Sequence, residues 1–264
     1  MTLKSSGPTR NTSLGMNKPY STLATLYDLS MDVDYKGWVQ YLLALGLRHH
    51  HVPGKILDLG CGTGNLTIPL AKRGYPIMGV DLSREMIEVA KEKALALEEE
   101  IAFLVGDMRS FSLPGEFFDT VISGCDVLNY LTSEADLASA FRVVDKLLHS
   151  GGLWFFDLNS ACKLRHIYGN ESYADLQDTF AYFWDNSYDD SCDICTMNLT
   201  FFVQKGAGLY ERRVERHRQK LWTPQAIREL CAANGFLLQA CYDFLTFEPC
   251  STESHRWQFV VEKR

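Results

Sequence analysis

The segment Asp58-Leu59-Gly60-Cys61-Gly62-Thr63-Gly64 constrains this chain more than any other. It closes the short apolar run Lys55 to Leu59 and opens a helical pattern, Asn65 to Arg73, that stops at Gly74. Glycine reaches positive φ without a Cβ clash and lets backbone come close to a ligand. The helix that follows presents N–H groups with no intrahelical acceptor. Strand, glycine turn and helix in that order make a ligand cradle at the carboxyl end of a parallel strand.

The rest of the chain continues the alternation. Tyr75 to Val80 reads as a second strand ending at Asp81, and Ser83 caps a helix running to about Glu99. Ile101 to Val105 and Asp119 to Ser123 read as further strands, Glu134 to His149 as a helix, and Leu153 to Leu158 as a fifth strand after the Gly151-Gly152 turn. Upstream, Ser21 to Ser30 and Asp34 to His49 carry helical spacing. Strands alternating with helices imply an α/β fold with a mostly parallel sheet. The pattern changes near Ser172: Phe180 to Tyr188, Ile194 to Gln204 and Leu209 to Trp222 alternate apolar with polar residues, which predicts an antiparallel meander. Helical pattern returns at Thr223-Pro224 and stops at Asn234-Gly235, before two last strands, Phe236 to Phe244 and Trp257 to Val261. The expected layout is a disordered tail over 1–19, an α/β domain over 20–171 and 222–264, and an inserted antiparallel β lid over 172–221.

Composition sets limits. The chain has 264 residues and a formal net charge of −7. That argues against a broad electrostatic grip on nucleic acid. No apolar run approaches the roughly 18 residues of a membrane span, and the polar N-terminus lacks the apolar centre of a secretion signal. The expected location is the cytoplasm, with the eight cysteines as reduced thiols. Cys192 and Cys195 have CxxC spacing without a second pair, so no metal is expected. His49-His50-His51 reads as a solvated helix end.

Asp81 sharpens the glycine turn, because an acid at the end of the second strand accepts hydrogen bonds from ribose hydroxyls. That pairing serves NAD and S-adenosylmethionine alike. In GxGxxG the third glycine falls at Asn65, which disfavours the close pyrophosphate approach of NAD. Gly106-Asp107-Met108 supplies a further acid where an adenine amino group is read. Several acids suit a ligand carrying a sulfonium and an ammonium.

In order and spacing, Ile56 to Gly64, Gly79 to Met86, Gly106 to Met108, Phe118 to Ser123 and Gly151-Gly152 resemble the successive motifs of class I S-adenosylmethionine-dependent methyltransferases. The β-insertion and the Tyr27-Asp28 segment resemble the group holding sugar-amine N-methyltransferases and glycine N-methyltransferase-like enzymes. The resemblance implies a Rossmann-like sheet and S-adenosyl-L-methionine as cofactor. It implies that Gly60 and Gly62 hold the methionine end, Asp58 orients its ammonium, and Asp81 takes the ribose. Leu82 and Met86 would sandwich the adenine, Asp107 and Met108 read its edge, and Cys125 offer backbone. Tyr20, Tyr27 and Trp38 would close over the methionine end, with packing in the core as the alternative for all three.

Methyl transfer needs alignment and sometimes a base for the acceptor. Tyr130, Asn129 and His217 are the candidate catalytic residues. The first two follow the fourth strand, where Cys125-Asp126-Val127-Leu128 departs from the Asn-Pro-Pro-Tyr type motif of DNA and protein amide methyltransferases. His217 sits among Arg212, Arg213, Arg216 and Arg218, either facing an acceptor or forming a solvated face. The expected activity is transfer to N or O of a small molecule by a monomer or homodimer. An RNA or protein substrate, or a non-catalytic cofactor-binding regulator, stays as the alternative.

Overall fold

Asp34 caps α1 (Tyr35–Arg48), its carboxylate accepting the Gly37 N–H at 2.9 Å. This computed structural model describes Ala24, Asp28 and residues 33–206 and 208–264. The tail expected over 1–19, and Tyr20 and Tyr27, lie outside the described residues.

After α1 the elements are β1 (Ile56–Leu59), α2 (Thr67–Ala71), β2 (Ile77–Asp81), α3 (Arg84–Ala96), β3 (Ala102–Val105), β4 (Phe118–Ser123), α4 (Glu134–Leu147) and β5 (Leu148–Asn159). Ser83 and Ser133 cap α3 and α4 by accepting the N–H of Met86 and Asp136. Then come β6 (Ser172–Leu176), β7 (Phe180–Asp189), β8 (Ile194–Gly206), β9 (Leu209–Lys220), α5 (Pro224–Ala233), β10 (Phe236–Asp243) and β11 (Arg256–Lys263). Two elements differ from the expected limits. The glycine turn runs on through Leu66, which shortens α2, and β5 begins early because Leu148 pairs with Phe118.

The main sheet has the order β10-β11-β5-β4-β1-β2-β3. Strands β1 to β5 are parallel, and β11 joins β5 antiparallel. The chain winds outward from β1 to β3, then crosses back to β4 on the other side of β1. That reversal opens a crevice at the carboxyl ends of β1 and β4, where open α/β sheets bind ligands. Aromatic rings fill the core beside β5: Phe141 meets Trp154 edge-on at 4.9 Å, and Phe156 stacks on Phe259 at 5.0 Å. Truncating one of these to Ala costs about 3–5 kcal/mol.

Strands β6 to β9 form a separate four-stranded antiparallel sheet inserted between β5 and α5. Its register places Tyr182 opposite Phe201, Trp184 opposite Leu199, and Met197 opposite His217. Because side chains alternate along a strand, these six share one face, and Arg212, Arg216 and Arg218 point away from it, exposed. The histidine run is not a solvated helix end. His49 Nε2 meets the Tyr242 hydroxyl at 3.0 Å and His51 Nε2 meets Thr120 Oγ1 at 2.8 Å, so two of the three tie α1 to the sheet. Among the described residues no helix is long and apolar enough to cross a membrane.

Candidate active site

Gly60 and Gly62 shape the crevice for different reasons. Gly60 has φ +93°, and a Cβ there would stand 2.6 Å from Val127 Cγ2, so only glycine fits. Gly62 has φ +54° and open space where its Cβ would be, so a ligand can lie on its backbone. Asp81 locks the turn from the next strand, accepting the Gly62 N–H and the Ser83 N–H, both at 2.8 Å. Asp58 sits on the floor and accepts a hydrogen bond from Thr67 Oγ1 at 2.6 Å.

Both carboxyls are held out of water. Burial pushes Asp58 up to about 7, with the bond from Thr67 opposing and the charge of Asp81 adding to the rise. Burial likewise raises Asp81, against the backbone N–H groups that favour its ionised form. Neither carboxylate forms an ion pair among the described residues. Two poorly solvated acids beside a cleft need a cation, and the sulfonium and ammonium of S-adenosylmethionine supply that charge. The residues therefore fit the cofactor.

The expected cofactor residues divide. Asp58, Gly60, Gly62, Asp81, Met86 and Cys125 line the cleft together with Tyr35. Leu82 stands 66 % exposed beside it. Asp107 and Met108 do not line it: the Asp107 carboxylate is gripped by Arg109, at 3.0 Å from Nε and 2.6 Å from Nη2, and that bond lowers its pKa. Trp38 is not on the cleft either. It is 2 % exposed, with Phe244 edge-on to its ring at 4.8 Å, and it forms a wall of a second cavity. Tyr35, three residues earlier on α1, takes the cleft position. Asp28 is anchored to the glycine turn and α3 by accepting from Thr63, Asn65 and Lys93 at 2.7–2.8 Å. Asn65, where the dinucleotide pattern has glycine, serves that anchor.

The second cavity holds about 400 Å³ and shares Tyr35 and Cys125 with the cofactor cleft. Cys125 and Asp126 both have left-handed backbone, at φ +58° and +52°. Non-glycine residues there cost about 1–3 kcal/mol each and persist where the surroundings fix them. Here the Asp126 N–H donates to Asp157 at 2.9 Å, and Arg256 bridges Asp126 and Asp157 at 2.6 Å each. The same turn aims the short helix Val127–Tyr130 so that Tyr130 lines the cavity and Asn129 does not.

Asn129 thus departs from the expected acceptor-facing position. It is 0 % exposed, donates to the Lys220 carbonyl at 2.8 Å and accepts the Asn159 N–H at 2.9 Å. Tyr130 and His217 stand together on the cavity, with Tyr130 Oη 3.1 Å from His217 Nδ1. Residues the sequence reading missed complete the walls. Tyr182, Met197, Leu199 and Phe201 come from the inserted sheet beside Trp184, Lys163 and Tyr168 from the turn of helix before it, and Arg256 from β11. Burial and the nearby Arg256 push Lys163 down to about 8. Period-two alternation around Trp184 was a usable signal for the inserted walls; nothing local marked Lys163 or Arg256. Sequence alone lets Trp184 and Trp222 either wall the pocket or pack the insertion; Trp184 lines the cavity, whereas Trp222 is buried and donates to the Leu131 carbonyl at 3.0 Å.

The sheet order, the glycine turn and the paired acids define a class I S-adenosylmethionine-dependent methyltransferase. The family model described as "Methyltransferase domain" matches residues 56–152. Over 249 residues the chain is 33 % identical to the putative methyltransferase YqeM of Bacillus subtilis, covering 92 % of this chain and 97 % of the relative. The crystal structure of a S-adenosylmethionine-dependent methyltransferase from Clostridium acetobutylicum matches with TM-score 0.83 at 28 % identity, over 92 % of this chain and 98 % of that one. The sugar N-methyltransferase KedS8 from a Streptoalloteichus species shares the fold at TM-score 0.72 and 20 % identity, over 100 % of this chain and 99 % of that one. The chain belongs to the methyltransferase family, and its cofactor is S-adenosyl-L-methionine.

Proposed function

We propose that the chain transfers a methyl group to a nitrogen or oxygen of a small acceptor held in the aromatic-walled cavity. One observation carries this reading: the cavity meets the cofactor cleft at Tyr35 and Cys125. A molecule seated in it abuts the methionine end of the cleft. Bound there, S-adenosylmethionine supplies a methyl carbon already activated by its sulfonium, so the chain's own task is alignment.

Tyr130, His217 and Gln219 present polar atoms to the acceptor, and the rings of Trp184, Phe201 and Phe244 bury its apolar faces. Arg256 bridges Asp126 and Asp157 and Lys163 stands on the same cavity, which makes the wall polar. An amino sugar suits such walls, and the fold shared with a sugar N-methyltransferase supports that choice of class. We read residues 172–221 as a lid over the acceptor, with Asp58 and Asp81 serving the cofactor as assigned from the resemblance.

The test incubates the protein with S-adenosylmethionine and a panel of amino sugars, amino acids and phenols. Mass spectrometry follows S-adenosylhomocysteine and methylated product. Methylation of at least one N–H or O–H acceptor is expected. Cofactor binding with no product from any member of the panel would overturn the reading.

A further inference from the structure

We propose that Glu215 fixes the tautomer of His217 and thereby makes Tyr130 the group that receives the proton released by the methyl acceptor. This rests on the reading that the aromatic-walled cavity holds the acceptor.

Glu215 and His217 stand two residues apart on β9, on the face turned toward the cavity. Glu215 is 0 % exposed, and its Oε2 lies 3.1 Å from His217 Nε2. An ionised carboxylate only accepts hydrogen bonds. Nε2 therefore carries the hydrogen, and a neutral imidazole then presents a bare lone pair at Nδ1. Tyr130 Oη lies 3.1 Å from that Nδ1, and the two rings meet edge-on with centroids 5.8 Å apart. The tyrosine hydroxyl donates to Nδ1, so its oxygen serves as acceptor for an N–H or O–H in the cavity.

The chain of bonds gives the proton a direction. As the acceptor's nitrogen or oxygen bonds the methyl carbon, the carbon–sulfur bond breaks and its electron pair stays on sulfur. The acceptor's proton passes to Tyr130 Oη while the tyrosine's own proton passes to His217 Nδ1. One positive charge leaves the sulfonium and one appears on the imidazolium, beside the Glu215 carboxylate. Tyr130 is the catalytic residue of this set; Glu215, which acts through His217, is a positioning residue.

The test begins without any acceptor. In ¹⁵N-labelled protein the ring nitrogens of His217, assigned by difference with His217→Gln, report the tautomer directly. Hydrogen on Nε2 and a bare Nδ1 are expected in the parent. Glu215→Ala is expected to lose that preference, and Glu215→Gln to keep it, because the amide oxygen still accepts from Nε2. With an acceptor from the panel above, Glu215→Ala lowers kcat about tenfold or more and leaves the KM for S-adenosylmethionine within about twofold, and Glu215→Gln, which keeps the tautomer, restores part of the rate. Hydrogen on Nδ1 in the parent overturns the proposal, as does Glu215→Ala turning over at the parent rate. A panel with no methylated member would instead sink the functional reading and leave the tautomer result standing.

Discussion

Asn129 donates its amide N–H to the carbonyl of Lys220 at 2.8 Å, joining the short helix after β4 to the last residue of the inserted sheet. Its amide oxygen accepts from Asn159, the last residue of β5. Both contacts are out of water, so Asn129→Ala leaves a buried acceptor and a buried donor unmatched, at about 1–3 kcal/mol each. The expected result is a lower urea midpoint with the KM for S-adenosylmethionine unchanged. A stable variant that no longer methylates would return Asn129 to the acceptor.

Asp58 links cofactor affinity to pH. Its carboxyl is pushed up to about 7, and a cationic ligand favours the ionised form. Below that pH the cofactor must expel a proton to bind. Affinity should rise with pH, by at most about tenfold per unit, and level off above about 7. Calorimetry across that window checks the slope, and Asp58→Asn should flatten it. A parent profile with no slope there would contradict the assignment.

Asp81→Ala removes charge-assisted bonds of about 1.5–3 kcal/mol each. S-adenosylmethionine and S-adenosylhomocysteine should both bind about tenfold to a hundredfold more weakly. Asp81→Asn, which keeps an acceptor oxygen for Gly62, should fall between. Thermal shift with each ligand ranks the three proteins, and equal shifts would exclude a role in the ribose site.

Arg256 is a stability determinant as well as a wall. Removing it leaves the buried Asp157 and the half-buried Asp126 without that cation, a loss of about 3–5 kcal/mol. Arg256→Ala should unfold at markedly lower denaturant than the parent. A double variant that also carries Asp157→Asn should recover part of the loss, since it removes one stranded charge; no recovery would mean that packing against Trp38 and Phe244 dominates.

The arginines of β9 separate from His217 by mutation. Arg212, Arg216 and Arg218 point outward, and Arg216 spends its guanidinium on Asn198 at 3.0 Å. Changing the three together to Ala should leave turnover within about twofold, because exposed charges are screened. His217→Gln should lower it strongly. If the triple variant loses activity instead, the acceptor reaches the outer face.

Local pattern carried much of this molecule. The glycine turn and Asp81 were legible because both partners sit at fixed points of one strand–turn–helix unit. The inserted sheet was legible because alternation is a property of consecutive residues. Contacts between distant segments left no such trace. Arg256 and Asp126 are 130 residues apart and neither has a pattern around it. Asp28 meets Thr63, Asn65 and Lys93 from 35 or more residues away in the chain. Asn129 and Tyr130 looked equivalent by position. The left-handed turn at Cys125-Asp126, built without glycine, decides which of them enters the cavity.

The shared border at Tyr35 and Cys125 brings together two cavities encoded in different stretches of chain. The cleft is written mainly in β1, β2 and the turns that follow them, whereas one wall of the neighbouring cavity is drawn from β7, β8 and β9. Exchanging Tyr182, Leu199 or Phe201 reshapes the second compartment and leaves Gly60 and Asp81 where they are. Descendants of one such scaffold can therefore diversify what they modify while inheriting an unaltered way of holding the reagent that modifies it.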